Sequence, residues 1–532
     1  MSGRSALVFA ALLTVSSHAA AEFVQPFGVV LRPGTAGVDA PQLALGADDR
    51  VVYLWLSGGA VERRVMQHDG ALGTVTALPR LSASDATQLA AVTDALGRVH
   101  AVWRENGKIV HHRLTANGAL GISRLLSSAD ASNAELPALA ADAFGGVVVV
   151  WARGSRIEAV RLAASDALPI APVAEMSPGH QSLPPGVAID GTGEATVVWR
   201  RQGKTEYRRL GLDGQVASVV IPADNGVCND SLPRVASHPQ SPVRPFIVYV
   251  ITDIFCSRSV IGVFADGSGA RLHLSSAGGM SADPGHRVAV APDGTANVAW
   301  QQDTDSGTQI LRSRVGSDGN IIGAALVSTA GGASEPDIAV GPGGQTAVVW
   351  IEQLGQIERV RGRMVTAQGI GSSGPVLDLS LIADGEHPTD PRAAVDPAGR
   401  ASVAWRNPLS SVVGLRATQD VGPPSCASPL NLDLTATQTV APAILVRTIC
   451  RGWLNDDEFG APPVTITQAP TIGSVQVFLG SVIYTANGND YSESFAFRTS
   501  GPGGDSNTVT VIVNVAATSD DLFADGFEAP GS

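Results

Sequence analysis

Lysine is almost absent from this sequence, which has only Lys108 and Lys204 among its 532 residues. The formal net charge is −13, and no basic tract occurs anywhere in the chain. Nucleic-acid backbones and anionic lipids are bound through clustered cationic side chains, so these two classes of partner are disfavoured. Long apolar runs are missing too, since no segment approaches the roughly 18 consecutive apolar residues of a transmembrane helix. We therefore predict no nucleic-acid partner and no transmembrane segment.

Residues 1–21 have the pattern of a secretory signal peptide. Arg4 precedes an apolar run over residues 6–15, and the small triplet at residues 19–21 fits signal peptidase cleavage before Glu22. An uncleaved membrane anchor is the alternative, but the apolar run is too short to span a bilayer. We predict a mature protein that is secreted or periplasmic.

Cysteine is scarce, with Cys228, Cys256, Cys426 and Cys450 as the complete set. An even number in an oxidising compartment favours two disulfides, for which three connectivities exist. Sequential pairing is favoured because each pair then lies within one local unit. A metal site is disfavoured because neither pair has the short C-x-x-C spacing.

An aromatic residue recurs about every 48 to 55 positions and divides the chain into eight units. The markers are Trp55, Trp103, Trp151, Trp199, Tyr249, Trp300, Trp350 and Trp405. Each unit starts with a short apolar strand containing an alanine, at Ala44, Ala90, Ala140, Ala188, Ala236, Ala289, Ala339 and Ala394. Turn pairs such as Asp213-Gly214 and Asp318-Gly319 then separate further strands.

Four antiparallel strands per unit predict an all-β fold, an eight-bladed β-propeller over residues 22–422, with seven blades and a degenerate unit as the alternative. The eighth unit lacks room for a fourth strand. We expect residues 27–31 to complete it across the ring, which removes an exposed edge. Small alanines fit where the blades converge, and the aromatics fill the wider space further out.

The repeat over residues 27–420 resembles bacterial exported propellers of the sialidase-like and kelch-like kind. The units lack the S-x-D-x-G-x-x-W box of sialidases and the paired glycines of kelch blades. The resemblance therefore implies a fold and no activity.

Residues 423–516 predict a small β-sandwich. Residues 451–515 resemble bacterial Ig-like, cadherin-like domains in matching stretches that run from Trp453 to Val511. In such domains an N-D-x-D segment takes part in calcium binding, and this chain has Asn455, Asp456 and Asp457 followed by Glu458. The shifted carboxylate leaves a calcium site and a simple acidic turn both open. Residues 517–532 form an acidic tail, interpreted as a disordered terminus or as a sorting signal.

Seven of the eight units carry an acid just before the alanine strand. These acids are Asp39, Asp85, Glu135, Asp230, Asp283, Glu335 and Asp390, while the fourth unit has Gln181 and Ser182. A ring of carboxylates would focus negative potential on the channel mouth. Repetition favours the alternative, in which each acid accepts hydrogen bonds from its own loop.

At the following position the units differ, with Gln42, Gln88, Ala138, Gly186, Arg234, Arg287, Asp337 and Arg392. The last four of these residues form a candidate binding site for an anionic or sugar ligand. Pairing of the arginines with neighbouring acids is the alternative. Asp303 and Asp305 form the nearest match to a D-x-D-x-G calcium loop, but an exposed turn is favoured because further acids at the EF-hand spacing are missing.

The favoured function is a non-enzymatic binding or scaffold protein that presents the propeller surface to a glycan, peptide or protein partner. The rival is a glycosidase or lyase acting on extracellular polysaccharide, with its site at the channel mouth. Fold alone does not choose between them. The sequence offers no catalytic residue and only calcium as a candidate cofactor.

A calcium ion bound at Asp303 and Asp305, or at the Asn455 turn, is expected to raise the Tm of the mature chain. Occupancy at a hundred times the dissociation constant adds about 2.7 kcal/mol to the free energy of unfolding. Thermal unfolding in calcium and then in chelator measures this shift. An unchanged Tm assigns these acids to turns.

Overall fold

The computed structural model describes residues 29–32, 39–46, 50–67, 71–127, 133–165, 167–178, 184–217, 221–222, 229–230, 233–241, 243–252, 258–275, 285–329, 331–365, 376–380, 387–397, 399–407, 411–416, 425–435, 439–451, 464–478, 481–501 and 504–516. Strands account for nearly all regular structure in these residues, so the protein is all-β, as predicted. In the described part, no helix is long and apolar enough to cross a bilayer.

The repeat region folds into eight antiparallel sheets, numbered one to eight in chain order. The N-terminal strand is β1 (Val29–Arg32). Sheet one has β2 (Asp39–Leu45), β3 (Val51–Ser57), β4 (Ala60–Met66) and β5 (Thr76–Ala77). Sheet two has β6 (Ala86–Thr93), β7 (Val99–Glu105), β8 (Lys108–Arg113) and β9 (Ile122–Leu125). Sheet three has β10 (Ala134–Ala141), β11 (Val147–Arg153), β12 (Arg156–Leu162) and β13 (Ala174–Pro178). Sheet four has β14 (Gly186–Ile189), β15 (Ala195–Arg201), β16 (Lys204–Leu210) and β17 (Ile221–Pro222).

The second half continues the pattern. Sheet five has β18 (Asn229–Asp230), β19 (Arg234–Ala236), β20 (Phe246–Thr252), β21 (Arg258–Phe264) and β22 (Leu272–His273). Sheet six has β23 (Arg287–Val290), β24 (Ala296–Thr304), β25 (Gly307–Val315) and β26 (Ile321–Leu326). Sheet seven has β27 (Ala333–Val340), β28 (Thr346–Leu354), β29 (Ile357–Val365) and β30 (Leu377–Asp378). Sheet eight has β31 (Thr389–Val395), β32 (Ala401–Asn407) and β33 (Ser411–Arg416).

The outer strand of sheet eight is β1, which pairs antiparallel with β33, Val29 lying opposite Gly414. The predicted completion of the last unit by the N-terminal segment is therefore observed. The innermost strands of consecutive sheets contact one another, with β19 as that strand in sheet five, and β2 of sheet one contacts β31 of sheet eight. This succession of antiparallel sheets, seven with four strands and one with five among the described residues, is that of a β-propeller.

Eight apolar clusters hold the sheets together, and each cluster lies between two consecutive sheets. The cluster with Trp103 joins sheets one and two, and the cluster with Trp55 joins sheet one to Ala404 of sheet eight. The central strand β11 is buried on both faces because it has a neighbouring sheet on each side. A single sheet would leave both apolar faces in water, so the sheets are stable only as a stack.

All seven repeat tryptophans are fully buried, and their polar indole N–H needs an acceptor. Trp55 and Trp151 donate to the carboxylates of Glu62 (3.0 Å) and Glu158 (2.7 Å), seven residues later on the next strand. Trp103, Trp300 and Trp350 instead donate to a side chain two residues later on their own strand, namely Glu105, Gln302 and Glu352. In these five tryptophans the ring is buried without an orphaned donor, whereas Trp199 Nε1 and Trp405 Nε1 have no acceptor among the described residues.

One repeat marker is corrected by the strand register. Ala44 lies opposite Val52 and Ala140 opposite Val148, but the residue at that position of sheet two is Val92, opposite His100. Ala90 lies two residues earlier, so it is not the counterpart of Ala44. The error arose because Ala90 and Ala91 stand side by side and either fits an alanine marker.

The C-terminal part folds around its own apolar core, which includes Tyr484, Phe495 and Phe497. Its elements are β34 (Ser425–Cys426), β35 (Leu430–Leu434), β36 (Ile444–Leu445), α1 (Val446–Ile449), β37 (Cys450–Arg451), β38 (Val464–Gln468), β39 (Ser474–Phe478), β40 (Ser481–Thr485), β41 (Tyr491–Gly501), β42 (Gly504–Asp505) and β43 (Val509–Val515). One sheet has the order β35-β43-β41-β38, with β35 parallel to β43, and a second has the order β36-β40-β39.

Glu493 on β41 fixes the turn that leads into β39. Its carboxylate accepts hydrogen bonds from the backbone N–H groups of Thr471 (2.6 Å), Ile472 (2.8 Å) and Gly473 (2.7 Å), and from the hydroxyl of Tyr484. Burial opposes ionisation of Glu493, but these donors outweigh it and lower its pKa to about 2. A Cβ at Gly473 would lie 2.2 Å from the Tyr484 hydroxyl oxygen, so the turn requires glycine.

Replacing Glu493 with Gln is expected to loosen this turn in a pH-dependent way. The folded-state pKa lies below the unfolded value of 4.5, so the ionised carboxylate stabilises the turn above that value and loses its effect as the pH falls toward 2. Hydrogen exchange of the 471–473 amides in the full chain, corrected for intrinsic rates, measures this. The variant should exchange faster at pH 6, and the difference from wild type should shrink at pH 3. Equal exchange at pH 6 would contradict the assignment.

Candidate functional site

The innermost strands of five sheets are kinked near their N-terminal ends by a bulge. The register to the second strand shifts between Asp39 and Gln42, Thr87 and Ala90, Glu135 and Ala138, Ser334 and Asp337, and Thr389 and Arg392. Inside four of these bulges one residue adopts a left-handed backbone, namely Gln88 (φ 58°), Leu136 (55°), Glu335 (49°) and Asp390 (54°). L-residues adopt this conformation at a cost, so its repetition identifies a built feature of the fold.

The bulge residues connect consecutive sheets through hydrogen bonds. Glu335 Oε2 of sheet seven accepts from the backbone N–H of Asp390 in sheet eight at 2.9 Å. Gln88 Oε1 of sheet two accepts from the backbone N–H of Leu136 in sheet three at 2.8 Å. In both pairs, the residue with the accepting side chain and the residue with the donating N–H hold the same position in their bulges. The side chain of one bulge thus satisfies the backbone N–H group that the bulge of the next sheet removes from strand pairing.

Sheets six to eight carry a group of charged side chains at this end of their innermost strands. We call Arg287, Asp337, Asp390, Arg392 and Arg406 the polar sector. Asp337 Oδ2 accepts from the backbone N–H of Ala393 at 2.9 Å, and its Oδ1 lies 3.6 Å from Arg287 Nε. The structure therefore brings together two of the predicted ligand-binding residues.

The arginines of the polar sector lie near carboxylates and also donate to other oxygens. Arg287 and Arg392 donate to the backbone carbonyls of His286 (3.0 Å) and Pro391 (2.9 Å), and Arg406 donates to the Thr389 hydroxyl (3.0 Å). Asp390 lies 3.9 Å from Arg392 Nη2 and 3.5 Å from Arg406 Nε, longer than the 2.7–2.9 Å of a charge-assisted hydrogen bond. The exposed fractions of the Arg287, Arg392 and Arg406 side chains are 27%, 28% and 31%. These three guanidinium groups are within reach of a ligand while they remain close to carboxylates.

The fourth predicted residue, Arg234, holds the same register position in sheet five, opposite Val248 and half-buried. Gln88 does not hold it in sheet two, because Ala90 is the residue in register with Gln42. The prediction of Gln88 at this position was therefore out of register by two residues.

The predicted carboxylate ring is corrected in the same way. Asp39 and Glu135 start their bulges, but the matching residues of sheets two, seven and eight are Thr87, Ser334 and Thr389. Asp85 lies two residues before Thr87, and its side chain is 80% exposed. The acids therefore do not line one level of the channel. Asp283, Gln181 and Ser182 lie outside the described residues.

The candidate calcium residues Asp303 and Asp305 lie on the β24–β25 hairpin. Asp303 Oδ1 accepts from the Thr308 hydroxyl directly across the hairpin at 2.9 Å. Among the residues that the structure describes, no three His, Cys, Asp or Glu side chains are grouped as a metal site would need. Asn455, Asp456 and Asp457 lie outside the described residues, so a calcium site at the Asn455 turn stays a prediction.

Of the cysteines, Cys228 and Cys256 lie outside the described residues. Cys426 is disulfide-bonded, and its backbone lies opposite Cys450 in the β34–β37 register. The arrangement agrees with sequential pairing of the last two cysteines.

A buried chain of polar groups in sheet two was missed by sequence reasoning. His100 Nε2 lies 3.1 Å from Asp94 Oδ2, and His100 Nδ1 lies 2.9 Å from His111 Nε2. Asp94 also accepts from the backbone N–H of Arg98 and from its Nε. Burial lowers the pKa of His100, and that of His111 falls well below its usual value, so both rings are neutral at pH 7. The side chains of Asp94, His100 and His111 are all buried, so a substrate does not reach them and this chain of polar groups is structural.

No family model and no curated protein matches this chain in sequence. Among solved structures, Sqt1 of Saccharomyces cerevisiae is 10% identical over 73% of this chain and 98% of its own, with a TM-score of 0.43. Puromycin hydrolase is 14% identical over 77% of this chain, with a TM-score of 0.41, and this chain covers 66% of its length. The Dos1 propeller is 10% identical over 70% of this chain and 76% of its own, with a TM-score of 0.34. No activity is transferred to this chain on that basis.

Replacing Glu335 with Ala is expected to lower the free energy of unfolding by about 0.5–1 kcal/mol, because the Asp390 N–H loses its partner. Glu335→Gln should be nearly neutral, since Gln88 makes the same bond between sheets two and three. Alanine and glutamine both carry a Cβ, so the two variants and the wild type bear the same cost of the left-handed backbone at position 335. Urea unfolding of the two variants measures the difference, and equal stability of Ala and Gln would refute the role of this bond.

Proposed function

We propose that this chain is an exported binding protein, secreted or periplasmic, whose eight sheets are the eight blades of one propeller. The eight inter-sheet clusters support this blade count, since the last of them includes residues of sheets one and eight. The C-terminal part is proposed to be an Ig-like module, with Cys426 bonded to Cys450, that acts as a spacer or attachment unit.

The polar sector is the proposed binding surface, and its ligand is an anionic glycan. The observation that carries this proposal is the set of three part-exposed guanidinium groups held 3.5–3.9 Å from carboxylates. A uronate carboxylate binds a guanidinium group through two hydrogen bonds of about 2.7–2.9 Å, shorter than the 3.5–3.9 Å between these arginines and the carboxylates of the polar sector.

Binding is preferred over catalysis because the carboxylates near the sector already hold the backbone of the next sheet. Glu335 accepts from Asp390 N–H, and Asp337 accepts from Ala393 N–H. A general acid must direct its proton at the substrate, whereas both of these carboxylates face a backbone N–H group of the next sheet. An enzyme that acts on polysaccharide is therefore the second candidate, and the experiment below includes a result that would support it.

The mature chain is expected to bind an oligogalacturonate more tightly than a neutral galacto-oligosaccharide of the same length. Removing one guanidinium group in Arg392→Ala should weaken uronate binding about threefold to tenfold and leave binding of the neutral sugar unchanged. Isothermal titration calorimetry measures both affinities.

Arg156→Ala is the matched control, since Arg156 is an exposed arginine of sheet three, 3.3 Å from Glu175. Equal loss in both variants, or equal affinity for charged and neutral sugars, would refute the assignment of the polar sector. If shortened sugars were released during incubation, the protein would be an enzyme that cleaves the glycan by hydrolysis or elimination, and the binding-protein proposal would be wrong.

A further inference from the structure

A cavity of about 350 Å³ lies between sheets five and six. Its apolar wall includes Val243, which precedes β20, and Phe264 and Leu272 from the β21–β22 hairpin. Its other side is the β25–β26 hairpin with Ser317 and Asp318. Binding pockets for small molecules commonly have this volume and combine apolar walls with a few polar groups.

The cavity is at the opposite end of the sheets from the polar sector. Connections between the first and second strands, and between the third and fourth strands, share one end of an antiparallel sheet. Val243 and the two hairpins belong to that end, whereas the polar sector lies where the innermost strands begin. The two sites can therefore be tested independently.

The wall of the cavity is held in place by aromatic packing. The Phe264 ring meets the Phe246 ring edge to face, with a centroid distance of 4.8 Å. Phe246 is fully buried, while Phe264 is part-exposed toward the cavity. The hydrophobic surface that a ligand would cover is thus fixed before binding, which limits the entropic cost of association.

The charge at the rim of the cavity is predominantly negative. Asp266 and Asp318 both line it, while the lining arginine, Arg244, is bound by Asp190 (2.7 Å) and Glu194 (2.6 Å) of sheet four. The positive charge of Arg244 is therefore balanced without the two rim carboxylates.

The two rim carboxylates are oriented by their own turns. Asp266 Oδ1 accepts from the backbone N–H of Ser268 at 2.7 Å. Asp318 accepts from the backbone N–H of Asn320 at 3.0 Å and from its side-chain amide at 2.6 Å, which lowers the pKa of Asp318.

We propose that this cavity binds a small organic cation, an ammonium group carried on an apolar body. The body covers Phe264 and Leu272, and the ammonium group faces Asp266 and Asp318. The site lies apart from the polar sector and does not depend on the function proposed for it.

Three probes of one shape test the charge preference in the mature chain, namely phenethylammonium, 2-phenylethanol and phenylacetate. We expect the cation to bind most tightly, the alcohol less tightly and the anion least. Raising the salt concentration should weaken the binding of the cation only, because salt screens its attraction to the exposed carboxylates. Equal affinities for all three probes, or no detectable binding of the cation at millimolar concentration in ligand-observed NMR, would overturn the proposal.

Variants locate the binding to the cavity. Asp266→Asn and Asp318→Asn should each weaken phenethylammonium about threefold, the effect of removing one exposed ion-pair partner. Asp213→Asn is the matched control, because Asp213 holds the equivalent hairpin turn of sheet four, where its carboxylate accepts from Gln215 N–H at 3.0 Å.

Ala270→Trp fills the cavity without changing its charge and should abolish binding of the cation and the alcohol together. Ala270 is exposed, so the substitution leaves the inter-sheet cores intact. An unchanged affinity in Ala270→Trp, or the same loss in Asp213→Asn as in the rim variants, would place the cation elsewhere.

Discussion

Burial of a large ring between neighbouring sheets is the constraint on which the rest of this structure depends. Each repeat tryptophan contributes apolar area that no single sheet can bury, and truncation of such a ring commonly costs about 3–5 kcal/mol. The ring brings a polar N–H with it, and five of the seven repeat tryptophans have a side-chain acceptor nearby for that group. Glu352 is fully buried for this reason and is itself held by Arg361 at 2.6 Å. Burial of the tryptophan ring between sheets is thus accompanied by burial of a charged side chain that accepts from its N–H group.

The ends of the innermost strands also contain polar groups that a neighbouring sheet must satisfy. A bulge frees backbone groups and bends the chain toward the axis, and side chains of the preceding sheet satisfy the freed N–H groups. In sheets six to eight the residues in these places are charged, so bonds that join the sheets lie beside arginines that reach solvent. Asp337 therefore contacts both Arg287 of the preceding sheet and the backbone of Ala393 in the next.

The sequence predicted the repeat well because tryptophan spacing and Asp-Gly turns are local signals. It also predicted that the N-terminal segment pairs with the eighth sheet, since that unit has too few strands. The register within sheet two was missed, because adjacent alanines leave a period-two pattern ambiguous. The indole acceptors were missed because they occur either two or seven residues after the tryptophan. The cavity beside Phe264 was out of reach because its walls come from two units, and nothing in a linear sequence states which faces meet.

The pairing of β1 with β33 has a consequence for how the molecule is assembled. Val29 finds its partner, Gly414, only after every other sheet of the repeat region has been made. During synthesis from the N-terminus, β1 therefore remains without its sheet while the chain grows, and closing so long a loop is entropically costly. Topologies dominated by such distant pairings fold slowly, so the sheets are expected to form in succession, with the joining of the two ends as the last step. The first strand made is then the last to gain protection from proteases.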